Sequence, residues 1–203
     1  MRRVVAYVDG FNLYHGLKAK HARKYLWLDL EALARKLLKP GQQLASVRYF
    51  TASVRADPPA LARQSAYLGA LGTHTDIEII LGRFQQKTAS CRSCGSNWIT
   101  YEEKETDVSI AVSLIEDGVN DRFDTALLIS ADSDLCPAVH ALKRLRPQVR
   151  VIAAFPPQRR SDDLRRSCDA SFTIGHANLR QSLLPDVVAR ADGYKYRRPA
   201  RWR

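Results

Sequence analysis

Residues 123–137 read Phe-Asp-Thr-Ala-Leu-Leu-Ile-Ser-Ala-Asp-Ser-Asp-Leu-Cys-Pro. Four of the six residues from Thr125 to Ser130 are apolar. A strand covered on both faces reads as a continuous apolar run rather than as an alternation, so this stretch predicts a buried strand. A helix start follows it directly. Ser133 or Asp134 can cap, and Pro137 is tolerated in a first turn. Two carboxylates, Asp132 and Asp134, therefore fall between the carboxyl end of a strand and the amino end of a helix. In open α/β sheets ligands bind at that edge. Capping alone accounts for Asp134 but not for Asp132 as well.

The amino-terminal stretch repeats the arrangement. Arg3–Asp9 predicts a strand that ends on Asp9. Gly10 allows a tight turn, and Asn12 can cap a helix with Leu13 and Leu17 at helical spacing. Two such strand ends converge if the strands lie side by side. Between them the chain predicts a helix over 29–39 capped by Asp29, a strand over 46–54, a helix from Asp57 to Gly72 with Leu61, Leu68 and Leu71 inward, and a strand over 76–84. Strand and helix alternate, which predicts right-handed crossovers and a mostly parallel sheet with helices on both faces, a three-layer α/β/α sandwich. Residues 102–118 predict a helix with Val108, Val112 and Ile115 on one face and Gly118 at its end. Asp107 falls in its first turn, where the helix dipole alone would favour an acid. If this helix leads to the strand at 125–130, Asp107 lies on the same edge as Asp9 and Asp132. Downstream, the pattern predicts a helix over 134–146, a strand over 149–154, a basic loop with Arg159 and Arg160, a short helix from Ser161, a strand over 171–174 and a last helical turn over 178–183.

Residues 85–103 break this rhythm and predict a hairpin insertion with Cys91-Arg-Ser-Cys94-Gly at its tip. Cys91 and Cys94 are half of a zinc-knuckle pattern, and the other half is missing. Either a zinc ion draws further ligands from His74, a distant cysteine or the second subunit of a homodimer, or the turn holds two reduced thiols; a redox dithiol is a third reading, disfavoured because the flanks lack the strand-to-helix context that lowers a cysteine pKa. From Pro185 onward the pattern dissolves. Residues 1–184 are thus expected to form the domain and 185–203 a basic tail in which Lys and Arg alternate with Tyr194, Tyr196 and Trp202. Cations with interleaved rings suit single-stranded nucleic acid.

The formal net charge of +11 points to a polyanionic partner, nucleic acid before a membrane surface. No stretch approaches the roughly 20 apolar residues that span a bilayer. A strand begins directly after Met-Arg-Arg, which leaves no room for a signal peptide, so the expected location is the cytoplasm. The four cysteines do not make a secreted disulfide scaffold. Dinucleotide-binding, P-loop and elbow-serine signatures are absent.

Asp9, Asp107, Asp132 and Asp134 would repel one another unless neutralised. All-oxygen ligation favours Mg²⁺ or Mn²⁺. With a basic surface, the expected reaction is metal-assisted hydrolysis of a phosphodiester. Asn12, Ser130 and Ser133 can serve phosphate, water or the outer shell of the metal. Lys104, Arg159 and Arg160 can offset charge on the phosphate.

Three stretches in order resemble the NYN domain of the PIN-like nuclease superfamily, and its bacterial branch most closely. They are Tyr7-Val-Asp9-Gly-Phe-Asn12-Leu13, Glu103-Lys104 with Asp107-Val108, and Ile129-Ser-Ala-Asp132-Ser-Asp134. The resemblance covers roughly residues 3–175. It implies a PIN-like sandwich and metal-dependent cleavage of RNA rather than DNA. It carries the acids of the family onto Asp9, Asp107, Asp132 and Asp134, and a polar role in the first helix onto Asn12. Asp169 resembles a late acid of the family and reads as structural or outer-shell. Ala131 stands where glycine is frequent, and Glu105-Thr106 replaces a more usual Gly-Val, which is expected to alter the loop before Asp107. The Cys-x-x-Cys turn and the basic tail lie outside the family pattern. The leading expectation is a ribonuclease acting on single-stranded or looped RNA. The alternatives are an RNA-binding module of the same fold with little turnover, and a hydrolase of small phosphoesters.

Overall fold

Alternate residues of the first strand point into two different cores. Val4, Ala6 and Val8 belong to one cluster, and Val5 and Tyr7 to another. A strand buried on both faces carries no polar alternation, as the sequence of this one anticipates. The computed structural model describes residues 1–55, 57–90 and 93–202, with 84–86 and 99–104 described by backbone alone. In chain order the elements are β1 (Arg2–Asp9), α1 (Gly10–His21), α2 (Leu30–Leu37), β2 (Gln42–Ala52), α3 (Pro58–His74), β3 (Glu78–Ser90), β4 (Asn97–Lys104), α4 (Thr106–Val119), β5 (Thr125–Ile129), α5 (Cys136–Leu145), β6 (Arg150–Phe155), α6 (Asp162–Ser167), β7 (Ala170–Thr173), α7 (His176–Arg180), β8 (Val187–Ala189) and β9 (Lys195–Arg197).

Among the described residues the main sheet runs β4-β3-β2-β1-β5-β6-β7. Six strands are parallel, and β4 alone runs antiparallel, against β3. The first core cluster joins β1 to Leu13 and Leu17 of α1, Leu30 and Leu33 of α2, and Tyr67 and Leu71 of α3. The second joins it to Ile110 and Leu114 of α4, Val139 and Leu142 of α5, and Leu164 of α6. The result is an α/β/α sandwich. The chain winds outward from β1 through β2 and β3, then returns to place β5 on the other side of β1. That reversal opens a crevice at the carboxyl ends of β1 and β5.

Three expectations are corrected. The helix expected over 102–118 begins only at Thr106, because β3 runs on to Ser90 and pairs with Asn97–Lys104 residue for residue. The inward face of α4 is also different. Ile110 and Leu114 are buried, whereas Val108 and Val112 are 65% and 56% exposed. In α3, Leu61 is exposed and Tyr67, Ala70 and Leu71 face the core. Both helices carry apolar residues on more than one face, and packing selects between them.

The carboxyl-terminal segment is built into the molecule rather than trailing from it. β8 and β9 form an antiparallel pair, and a final 3-10 turn over Ala200–Trp202 buries Trp202. The Trp202 ring lies 5.9 Å from that of Tyr67, edge to face, and 6.4 Å from that of Trp27. Arg198 donates from Nη2 to the carbonyls of Trp202 and Lys24, at 2.7 and 2.6 Å. The ring of Tyr196 covers Gly69 of α3 so closely that a Cβ there would sit 2.3 Å from its Cε1. Among the described residues no helix is long and apolar enough to cross a membrane.

Burial of a core tryptophan sets the first prediction. Trp202→Ala should lower unfolding stability by about 3 kcal/mol and leave a single cooperative transition in urea. An unchanged midpoint would contradict the docking of this segment.

Candidate metal centre

The register of β1 against β5 decides which side chains meet. Val8 pairs with Ile129, so Asp9 and Ser130 leave the sheet next to each other. Asp9 caps α1, its Oδ1 accepting from the N–H of Asn12 at 2.9 Å. Its Oδ2 accepts from the hydroxyl of Ser130 at 2.7 Å. The same Ser130 oxygen accepts from the N–H of Asp132 at 3.0 Å, and Asp132 Oδ1 accepts from the N–H of Asp134 at 2.9 Å. A chain of hydrogen bonds thus runs from Asp9 through Ser130 to the Asp132 turn. Both acids cap their own turns. Asn12, expected as a cap, supplies the N–H instead, and the expected caps Ser133 and Asp134 lie inside the 3-10 turn, Ser133–Leu135, that Asp132 caps. Gly10 is required here, because a Cβ would lie 2.6 Å from the carbonyl oxygen of Phe50 and 2.8 Å from the Tyr49 ring.

Asp107 arrives from α4. Two features fix that helix. At its far end the buried Asp117 accepts from the Tyr7 hydroxyl at 2.7 Å and faces Arg48 at 3.2 Å. At its near end Glu105 adopts a left-handed conformation, with φ of 76°. That conformation costs a residue with a Cβ about 1–2 kcal/mol. It falls where the resemblance flagged Glu105 in place of glycine, and Arg83 holds the Glu105 carboxylate at 2.6 Å. The turn delivers Asp107 into the first turn of α4.

One carboxylate oxygen from each of Asp9, Asp107 and Asp132 lies within 4.8 Å of the others. The three are graded from buried Asp9 through half-buried Asp132 to exposed Asp107. Burial pushes the Asp9 carboxyl above its usual range. The donors from Asn12 and Ser130 oppose this, and the neighbouring Asp132 charge adds to it. A divalent cation would reverse the penalty, and an all-carboxylate donor set suits a hard one. The residues present therefore fit Mg²⁺ or Mn²⁺.

The remaining predicted residues are dispersed. Asp134 is exposed and stands outside the three-acid group. Ser133 is exposed, whereas Asn12 and Ser130 are buried. Arg159 lies against Gly16 of α1, and Arg160 pairs with Asp162 at 3.3 Å. The Lys104 side chain and all of Cys91 lie outside the described residues. Cys94 is exposed, with its Sγ 2.8 Å from the Ser96 hydroxyl. Asp169 ties β6 to α5, accepting from the Val151 N–H at 2.8 Å and from Lys143 at 2.7 Å. Sequence reasoning left the role of Ser130 open among phosphate, water and outer-shell contacts. The bond from the Asp132 N–H is a local serine turn, whereas the bond to Asp9 follows only from the β1–β5 register.

Comparison with known proteins bears on the family and the fold. A family model described as the NYN domain matches residues 3–177. The chain is 28% identical over 190 residues to 6-hydroxy-3-succinoylpyridine 3-monooxygenase HspA of Pseudomonas putida (strain DSM 28022 / S16), covering 76% of this chain and 59% of that protein. It thus spans about three fifths of that relative's length. A crystal structure of a protein of unknown function from Vibrio parahaemolyticus RIMD 2210633 superposes with a TM-score of 0.59 at 18% identity. That match covers 90% of this chain and 96% of the other, and it shows a shared fold.

The buried acid makes metal-free stability depend on pH. A carboxyl whose folded pKa is raised contributes stability that is complete below its ordinary value of 3.8 and is lost as pH rises through the folded value. In EDTA, thermal stability should therefore fall over that interval. Asp9→Asn should remove this part of the fall, and Mn²⁺ should restore the wild type alone. A wild type and an Asp9→Asn variant with parallel pH profiles would contradict the assignment.

Proposed function

The chain belongs to the NYN domain family, and on that premise we propose that it is a metal-dependent ribonuclease that hydrolyses single-stranded or looped RNA. The observation that carries the reading is the convergence of Asp9, Asp107 and Asp132 at the crevice between β1 and β5. A formal net charge of +11 supports a polyanionic substrate. A protein that only bound RNA would gain nothing from clustered carboxylates beside phosphate, and this disfavours the binding-module alternative.

Asp9, Asp107 and Asp132 would hold Mg²⁺ or Mn²⁺. The ion, when bound, supplies charge for the phosphate oxygens and lowers the pKa of water. Ser130 positions Asp9 and Asp132 relative to each other through its single oxygen. Asp134, exposed at the mouth, would orient the attacking water or add a ligand. Arg159 and Lys104 would offset the charge of the phosphate, and Arg160 would do so on release from Asp162. Hydrolysis adds water across one P–O bond and leaves a phosphate and a hydroxyl end. The cytoplasm is the proposed place of action.

The Pseudomonas putida relative, a longer protein, is named as a monooxygenase. Oxygenases with non-haem iron use two histidines and one carboxylate. The three-acid group contains no histidine, and the hydrolytic reading is preferred for that reason.

Cleavage of a labelled structured RNA tests the proposal. Activity should require Mn²⁺ or Mg²⁺, stop in EDTA, and fall by about 100-fold or more in Asp132→Asn. Salt-sensitive RNA binding without cleavage at any divalent concentration would replace the nuclease with a binding module.

A further inference from the structure

A cavity of about 410 Å³ opens beside the metal centre, between α1, the end of β2, α3 and the carboxyl-terminal turn. Its size falls in the range of sites that enclose a small ligand. Gly10, the chain neighbour of Asp9, is in its lining. Tyr67 and Trp202 are buried in its wall, while Phe11 and Tyr14 line it and remain 48% and 38% exposed. These two rings, in the first turns of the helix that Asp9 caps, flank His15 at 4.3 and 5.2 Å and offer aromatic surface at the edge of a cavity, as ligand pockets do.

The lining is net cationic. Lys18, Arg23, Arg63 and Arg201 are cationic, and the acid among them, Asp57, is committed to capping α3 through the N–H of Ala60 at 2.9 Å. Among the described residues no carboxylate pairs with Arg23, Arg63 or Arg201. A planar aromatic group bearing phosphate satisfies both features, with its ring on Phe11 and Tyr14 and its anion on the arginines.

We propose that this cavity receives the base and a flanking phosphate of one unpaired nucleotide next to the scissile phosphodiester. The proposal deepens the ribonuclease reading and rests on it. Rings that stack on bases are sequence-tolerant, so the site would select for unpaired nucleotides rather than for a sequence. A base held in a duplex cannot enter without leaving its stack. The carboxyl-terminal segment closes the wall with Arg201 and Trp202 and so becomes part of the substrate site.

The test uses the full chain in EDTA, with uridine 5′-monophosphate and adenosine 5′-monophosphate as probes in isothermal titration. Both should bind with similar affinity. Tyr14→Ala and Arg63→Ala, at exposed or half-buried positions, should each weaken them by about 5-fold to 100-fold. Ala60→Trp should block the cavity by filling it. With Mn²⁺, Tyr14→Ala should raise KM for single-stranded RNA more than it lowers kcat. Absence of saturable nucleotide binding, equal binding by the folded cavity variants, or binding of benzoate but neither nucleotide would overturn the proposal. Metal-dependent cleavage untouched by the cavity variants would sink it too, while leaving the nuclease standing. Cavity-dependent nucleotide binding without any cleavage would do the reverse: the cavity keeps its ligand and the ribonuclease reading fails.

Discussion

One buried carboxylate organises this molecule. Asp9 uses one oxygen to cap α1 and the other to accept from Ser130, whose own oxygen accepts from Asp132. Three elements, β1, α1 and the turn after β5, are fixed by that group. Each hydrogen bond compensates part of the cost of burying a charge, and together they do not cancel it, since Asp9 still resists ionisation. The protein donors offset part of this cost, and a cation held by the three acids could offset more. Such residual destabilisation is a common property of sites held ready for a ligand.

The rest of the fold serves that geometry. β1 sits between β2 and β5, so its carboxyl end opens onto the crevice where the sheet changes direction. α4 is anchored at its buried end by Asp117 on Tyr7 and Arg48, and at its other end it is entered through a strained Glu105. Those two constraints carry Asp107 to the pair on β1 and β5. The buried-to-exposed order of the three acids leaves one side of the group open to solvent.

Much of this was legible before the structure. The runs at 3–9 and 125–130 are apolar without alternation, and only a two-sided burial explains that. The acids that follow them, and Asp107 at a helix start, could be placed on one edge from strand and helix order alone. The errors have physical causes. Residues 102–105 are good helix formers, yet pairing along the edge of β3 claims 102–104 for a strand. In α4, Val108 and Val112 compete with Ile110 and Leu114 for the inward face, and periodicity does not choose between two apolar stripes. The carboxyl-terminal strands are three residues each, too short to show a period, and Trp202 gives no local sign of the aromatic wall that buries it. Caps were misplaced by one to three residues because Asp9 and Asn12, or Asp132 and Ser133, are equally good capping residues. Register, a non-local property, decides between them.

The central claim is that Asp9, Asp107 and Asp132 form one cation site. The most direct measurement is an anomalous difference map from crystals of the protein soaked in Mn²⁺. The account predicts a single strong peak, or a close pair, ligated by oxygens of these three carboxylates. Manganese bound elsewhere, or no peak among the three acids at a concentration that saturates other sites, would contradict it.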